Sequence, residues 1–215
     1  MEDRFSGSYD AALHLLDRQV VDSEGLLVCK VDDIEIEERG DGLYATAILV
    51  GRAALIPRLT GALGRRSLDF WRRMGDEQGD RTAPYRIAFT DVEEVTSAVR
   101  LRRQRHALLV RTNPAHRLRD LLEMEVRTVT GAKLGSVLDV RLDEHQRVTD
   151  FIVGPGRPGS LLGYDRNRDQ GPWLIATIVR WLHRHAGSVS AEAARIDWAA
   201  EVLTLDSAPG PLRRA

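Results

Sequence analysis

The sequence predicts a mainly β protein: two small antiparallel β-barrels in tandem, each with a helical insert. Three observations predict it. First, "LLDRQVVDSEGLLVCKVDDIEI" (15–36) is matched by "LLEMEVRTVTGAKLGSVLDVRL" (121–142), with Val20 on Val126 and Gly25 on Gly131 at an offset of 106 (126 − 20). Val28, Val31, Asp33, Ile34 and Ile36 then fall on Leu134, Val137, Asp139, Val140 and Leu142. A repeat this long, present twice, means two similar domains and not a solenoid. Second, apolar and charged residues alternate beyond each shared glycine, the period of a half-buried strand. Third, each copy continues into a short apolar run that ends on glycine.

The elements follow in chain order. Asp22-Ser23-Glu24-Gly25 and Thr128-Val129-Thr130-Gly131 read as tight turns whose glycine supplies a positive φ. In the strands after them, Ile34 and Ile36 alternate with Glu35 and Glu37, and Val140 and Leu142 with Arg141 and Asp143. The apolar set Val31, Ile34, Ile36 and its counterpart Val137, Val140, Leu142 are the expected core. "ATAILVG" (45–51) and "TDFIVG" (149–154) are the next strands. Helical inserts follow at 57–75 and 171–187, with Pro172 suited to a first turn and Gly187 to a C-terminal cap. "YRIAFTDVEEVTSAVRL" (85–101) and "GSVSAEAARIDWAAEVLTL" (187–205) close the two copies, each as a strand, a polar turn or short helix, and a last apolar strand. The domains are therefore expected at 11–105 and 117–206, with a boundary near Asn113-Pro114.

The segment "LLEMEVRTVTGAKLGSVLDVRLDEHQRVTDFIVG" resembles the PRC-barrel family: an opening apolar pair, a turn ending in glycine, and a G-x-V-x-D-V strand, here Gly135-Ser136-Val137-Leu138-Asp139-Val140. The first copy departs from this pattern, because Cys29 stands where Gly135 stands. Matched residues cover less than half of the chain. The resemblance implies a small β-barrel. Relatives include the C-terminal domain of a ribosome maturation factor, the cytoplasmic part of a photosynthetic reaction-centre subunit, and stand-alone bacterial and archaeal proteins linked to cell division. It implies binding and assembly, with no signature catalytic residues to carry over.

Bulk properties agree with a soluble domain: 43% hydrophobic and 29% charged residues. A formal net charge of −1 and a pI near 6.6 disfavour a general nucleic-acid binder. One cysteine excludes an intrachain disulfide and suits a reducing cytoplasm. No apolar run approaches the ~20 residues of a membrane helix, and the opening "MEDRFSGSYDAALHLL" carries no basic-then-apolar export pattern.

No catalytic group, metal site or cofactor is expected. Cys29 reads as a small strand residue, and His183 and His185 stand two apart on a helix and so do not share a face. The loop 154–159 lacks the Lys and Ser/Thr of a phosphate cradle. Asp32, Asp33, Glu35, Glu37 and Glu38 read as the solvated face and ends of one strand.

Two surfaces stand out. On the first insert, Leu59, Leu63, Phe70, Trp71 and Met74 form an apolar stripe, opposite a candidate anion-binding face of Arg58, Arg65, Arg66, Arg72 and Arg73. On the second, the apolar arc of Leu174, Ile178, Trp181 and Leu182 widens through Ile175 and Val179 to roughly 160°, beyond the ~100° that covers one core. Ile175, Val179 and Trp181 are therefore the candidate interface, either between the two barrels or between subunits. The expectation is a non-enzymatic scaffold or adaptor in a bacterial cytoplasm, binding a protein partner of unknown identity, with homo-oligomerisation through the same helix as an alternative. Behind it stands an RNA- or ribosome-associated factor like the ribosome maturation relative.

Overall fold

In chain order the strands and helices are β1 (Tyr9–Asp10), α1 (Ala11–Leu15), β2 (Gln19–Val21), β3 (Leu27–Lys30), β4 (Asp33–Arg39) and β5 (Gly42–Val50). Then come β6 (Tyr85–Ala88), β7 (Val92–Val95), β8 (Val99–Leu101), β9 (Val110–Arg111), β10 (His116–Arg117) and α2 (Leu118–Leu122). The last are β11 (Glu125–Thr128), β12 (Lys133–Leu142), β13 (Val148–Gly154), β14 (Gly187–Ser190), β15 (Ala194–Asp197), β16 (Val202–Leu205) and β17 (Gly210–Pro211). This computed structural model describes residues 7–51, 53–55, 83–104, 110–122, 124–155, 186–206 and 209–211.

The chain divides into two compact units, and neither is a continuous stretch. The first holds Leu15–Glu37 and Ala45–Arg119; the second holds Gly7–His14, Glu38–Tyr44 and Asp120–Ala215. Each unit therefore takes a short leading segment from the far side of the chain: 7–14 in the second, 116–119 in the first.

The first unit has a sheet in the order β3-β2-β8-β7 and another in the order β10-β4-β5-β6-β9. The second has one sheet in the order β15-β16-β11-β12-β13-β14-β17, with β1 also paired to β12. The two orders coincide once β3 and β4 are read as the halves of β12. Both halves of the chain repeat finer details. Val20 pairs with Val99 and Val126 with Leu203 in parallel, at matching places of the two halves. Bulges lie at Val20/Val21 and Val126/Arg127. A 3-10 turn, Phe89–Asp91 or Ala191–Ala193, leads into β7 or β15.

The expected apolar set is buried throughout. Val31, Ile34, Val137, Val140 and Leu142 are fully enclosed, and Ile36 nearly so. Its spacing of three and then two has a structural cause. In β12 the pairing with β13 shifts between Val137 and Asp139, and the extra residue of this bulge changes the phase of the alternation. In the first half the strand is interrupted instead, between Lys30 and Asp33.

The acidic run differs from the solvated face expected of it. Only Glu37 and Glu38 are exposed; Asp32 and Glu35 are half-buried and Asp33 is buried. Arg141, expected on the charged face of its strand, is also buried. Gly187 is the first residue of β14, and the helical insert expected before it lies outside the described residues. The anion-face residues Arg58, Arg65, Arg66, Arg72 and Arg73, the interface residues Ile175, Val179 and Trp181, and His183 and His185 lie outside the described residues.

Candidate functional site

The most concentrated polar chemistry in the core is a pair of aspartates at equivalent places in the repeat. Asp139 lies just past the β12 bulge and is 1% exposed. Its Oδ1 accepts the N–H of Ala12 and that of Val140, both at 2.7 Å, and its Oδ2 accepts the N–H of Leu13 at 3.0 Å. Ala12 and Leu13 stand in the first turn of α1, where backbone N–H groups have no partner inside the helix. The carboxyl thus holds the leading segment onto β12. Asp33 repeats the design on β4, also at 1% exposure. Its Oδ1 accepts the N–H of Ile34 at 2.9 Å and of Arg119, in the first turn of α2, at 3.3 Å.

Burial is the main influence on Asp139 and pushes its carboxyl from 3.8 up to about 7; the three N–H groups pull it down and the charge of Asp10 adds to the rise. A carboxyl poised there in an enzyme would be a candidate acid or base. Here its acceptor positions are taken by the backbone it organises.

The strand of each leading segment adds cross-strand pairs. In the second unit Tyr9 stands opposite Leu142 and Asp10 opposite Arg141. Arg141 Nε lies 3.0 Å from Asp10 Oδ1, both side chains largely withdrawn from water. The Tyr9 hydroxyl donates to Gln146 Oε1, and burial raises the tyrosine well above its ordinary range. In the first unit His116 stands opposite Ile36 and Arg117 opposite Glu35. Glu35 Oε2 accepts from Arg86 Nε at 2.5 Å and from the Thr46 hydroxyl at 3.0 Å, while Arg117 Nη1 donates to the carbonyl of Ala53 at 3.0 Å.

A polar cluster decorates the β4–β5 tip in the second unit. The Tyr44 hydroxyl donates to Asp41 Oδ2 at 2.8 Å, Arg147 Nη2 donates to the Asp41 carbonyl at 2.7 Å, and the Arg39 guanidinium sits 4.6 Å from the Tyr44 ring centre. Trp198 Nε1–H donates to Glu38 Oε2 at 3.1 Å.

Cys29 is half-buried on β3. Burial first, and then the charge of Asp32, pushes its thiol up to about 12, which leaves it protonated and a poor nucleophile at neutral pH. Among the described residues no group of three or more His, Cys, Asp or Glu is arranged to hold a metal ion. Nor is any described helix long and apolar enough to cross a membrane.

Sequence reasoning missed two features. The aspartates were visible as matched positions, but the helix N–H groups they bind lie more than 80 residues away in sequence. The second feature is Leu26 and Leu27, at 47% and 56% exposure on the β2–β3 turn of the first unit. The equivalent positions in the other copy are Ala132 and Lys133, so two adjacent large apolar residues where the repeat has a small and a charged one were the signal. Val110 and Val129 are also exposed.

No curated protein matches the chain. Residues 114–179, which begin just before β10 and run through β11, β12 and β13, match the model of the PRC-barrel domain.

Proposed function

We propose that this protein is a non-enzymatic PRC-barrel scaffold or adaptor of the cytoplasm that binds protein partners, and that its first half is a diverged second copy of the barrel. The observation that carries the reading is the PRC-barrel match over 114–179. The shared strand order, bulges and parallel pairs of the two halves support the second copy. The buried charges support a structural use of the polar core: Asp33, Asp139 and Arg141 are all engaged in holding strand to segment.

The turn bearing Leu26 and Leu27 is the described surface best suited to a protein partner, since adjacent exposed aliphatics lose unfavourable hydration when covered. The test is affinity capture from the native host with wild type and with Leu26→Ala/Leu27→Lys, which installs the residues of the second copy. A stoichiometric protein captured by wild type and lost by the variant supports the adaptor. Ribosomal particles or RNA released by moderate salt would favour the ribosome-associated reading instead.

A further inference from the structure

The two leading segments carry opposite charges at the same place, and so do the strands that receive them. The acceptor positions are equivalent: Glu35 and Arg141 are offset by 106 (141 − 35), as the rest of the repeat is. The donated positions are equivalent too, because Asp10 and Arg117 each stand opposite one of those residues. Helices α1 and α2 begin at Ala11 and Leu118, one residue after Asp10 and Arg117. Ala12 and Arg119 then give their N–H groups to Asp139 and Asp33. Strand register and a first-turn N–H bond to an aspartate are therefore common to the two segments, and Leu13 adds a second bond, to Asp139 Oδ2.

We infer that charge sorts them at the β12 edge: Arg141 accepts an acidic leading segment and rejects a basic one, while Glu35, already paired with Arg86, makes the β4 edge the less selective of the two. With the segments exchanged, Asp10 would face Glu35 and Arg117 would face Arg141. Like charges directly opposite on paired strands are destabilising, and more so at Arg141, which is buried. Specificity of this kind needs a repulsive element as well as an attractive one. The same rule applies between molecules. A second copy of the chain offers β12 a choice of two segments, and only its own 7–14 kind fits. The inference rests on the strand registers and stands whatever the protein binds.

The test uses the full-length chain. Thermal unfolding is compared for wild type, Asp10→Asn, Asp10→Arg, Arg141→Glu and the reversal Asp10→Arg/Arg141→Glu. Charge sorting expects each charge-reversing single change to lower Tm by about 5 °C, and the double reversal to recover at least half of the summed loss. A double variant as damaged as the sum of the singles overturns the inference. Should Arg141→Glu not fold, the two Asp10 variants decide: repulsion requires the arginine variant to fall clearly below the asparagine one. Equal losses would mean that only an attraction was removed, and the sorting rule would fail.

Discussion

Asp139→Asn removes a titration and one acceptor from the core at once. In the folded chain the carboxyl titrates near 7, against 3.8 for the free side chain. Between these values the folded state holds a proton that the unfolded state has released. Stability supplied by this group is therefore complete below pH 3.8, falls as pH rises through that window, and levels off above about 7. The full excursion corresponds to about 4 kcal/mol. Asparagine keeps one oxygen for the N–H groups of Ala12 and Val140 but turns an amide NH₂ toward the N–H of Leu13. That unmet donor costs about 1–3 kcal/mol. Urea unfolding of both proteins from pH 4 to pH 8 measures the difference directly, with other titrating groups common to the pair. The wild type should be the more stable at pH 4 to 5, and its advantage should shrink or invert by pH 8. A difference that stays constant with pH, or grows as pH rises, would show that the three N–H groups outweigh burial and keep the carboxylate ionised.

Three further perturbations have clear expectations. Val140→Asp forces an unpaired charge among fully enclosed side chains and should cost several kcal/mol, on the order of burying an uncompensated polar group; an unchanged melting temperature would contradict the strand assignment. Gly135→Ala should destabilise the second unit strongly, because Gly135 has φ +142° and a Cβ there would run into the Gly154 carbonyl; near-wild-type chemical denaturation would show that β12 can shift away from β13. Cys29 should alkylate slowly at pH 8 and markedly faster as pH approaches 12; rapid labelling at pH 7, followed by mass spectrometry, would show that the thiol is activated.

The residues of the strands were legible because alternation is a local signal. Ile34/Ile36 and Val140/Leu142 face the core as their period requires. The step from Val137 to Val140 was legible only as an irregularity; it is the bulge against β13 that makes it. The burial of Asp33, Asp139 and Arg141 was not legible, since each is bonded to a group distant in the chain: Arg119, Ala12 and Leu13, and Asp10. Charge content alone assigns such residues to the surface, and burial becomes affordable only once those partners are known. The units were harder still to foresee. Alignment of the repeat pairs Leu15 and Leu16 with Leu121 and Leu122, whereas α1 and α2 superpose with one more residue of offset, at Ala11 and Leu118. The exchange of leading segments leaves no mark on composition or period.

The two halves differ most where the first lacks the glycine of the strand motif. Gly135 lets β12 approach Gly154 closely and run unbroken from Lys133 to Leu142. Cys29, which carries a Cβ, occupies the matching place in the first half. The strand stops at Lys30, turns through Val31 and Asp32, and resumes at Asp33. Three bonds lie around the break, and the first has a counterpart in the unbroken half, where the Val137 N–H donates to the Met124 carbonyl at 3.3 Å. The Val31 N–H donates to the Arg18 carbonyl at 2.9 Å, the Asp32 N–H to the Leu49 carbonyl at 3.1 Å, and the Gly51 N–H to Asp32 Oδ2 at 2.7 Å. One sheet becomes two, yet Val31 and Asp33 keep the burial of Val137 and Asp139. The aspartate contact is thus preserved across a change in the strand that carries it. Its position, and not the continuity of the sheet, is what the two halves have in common.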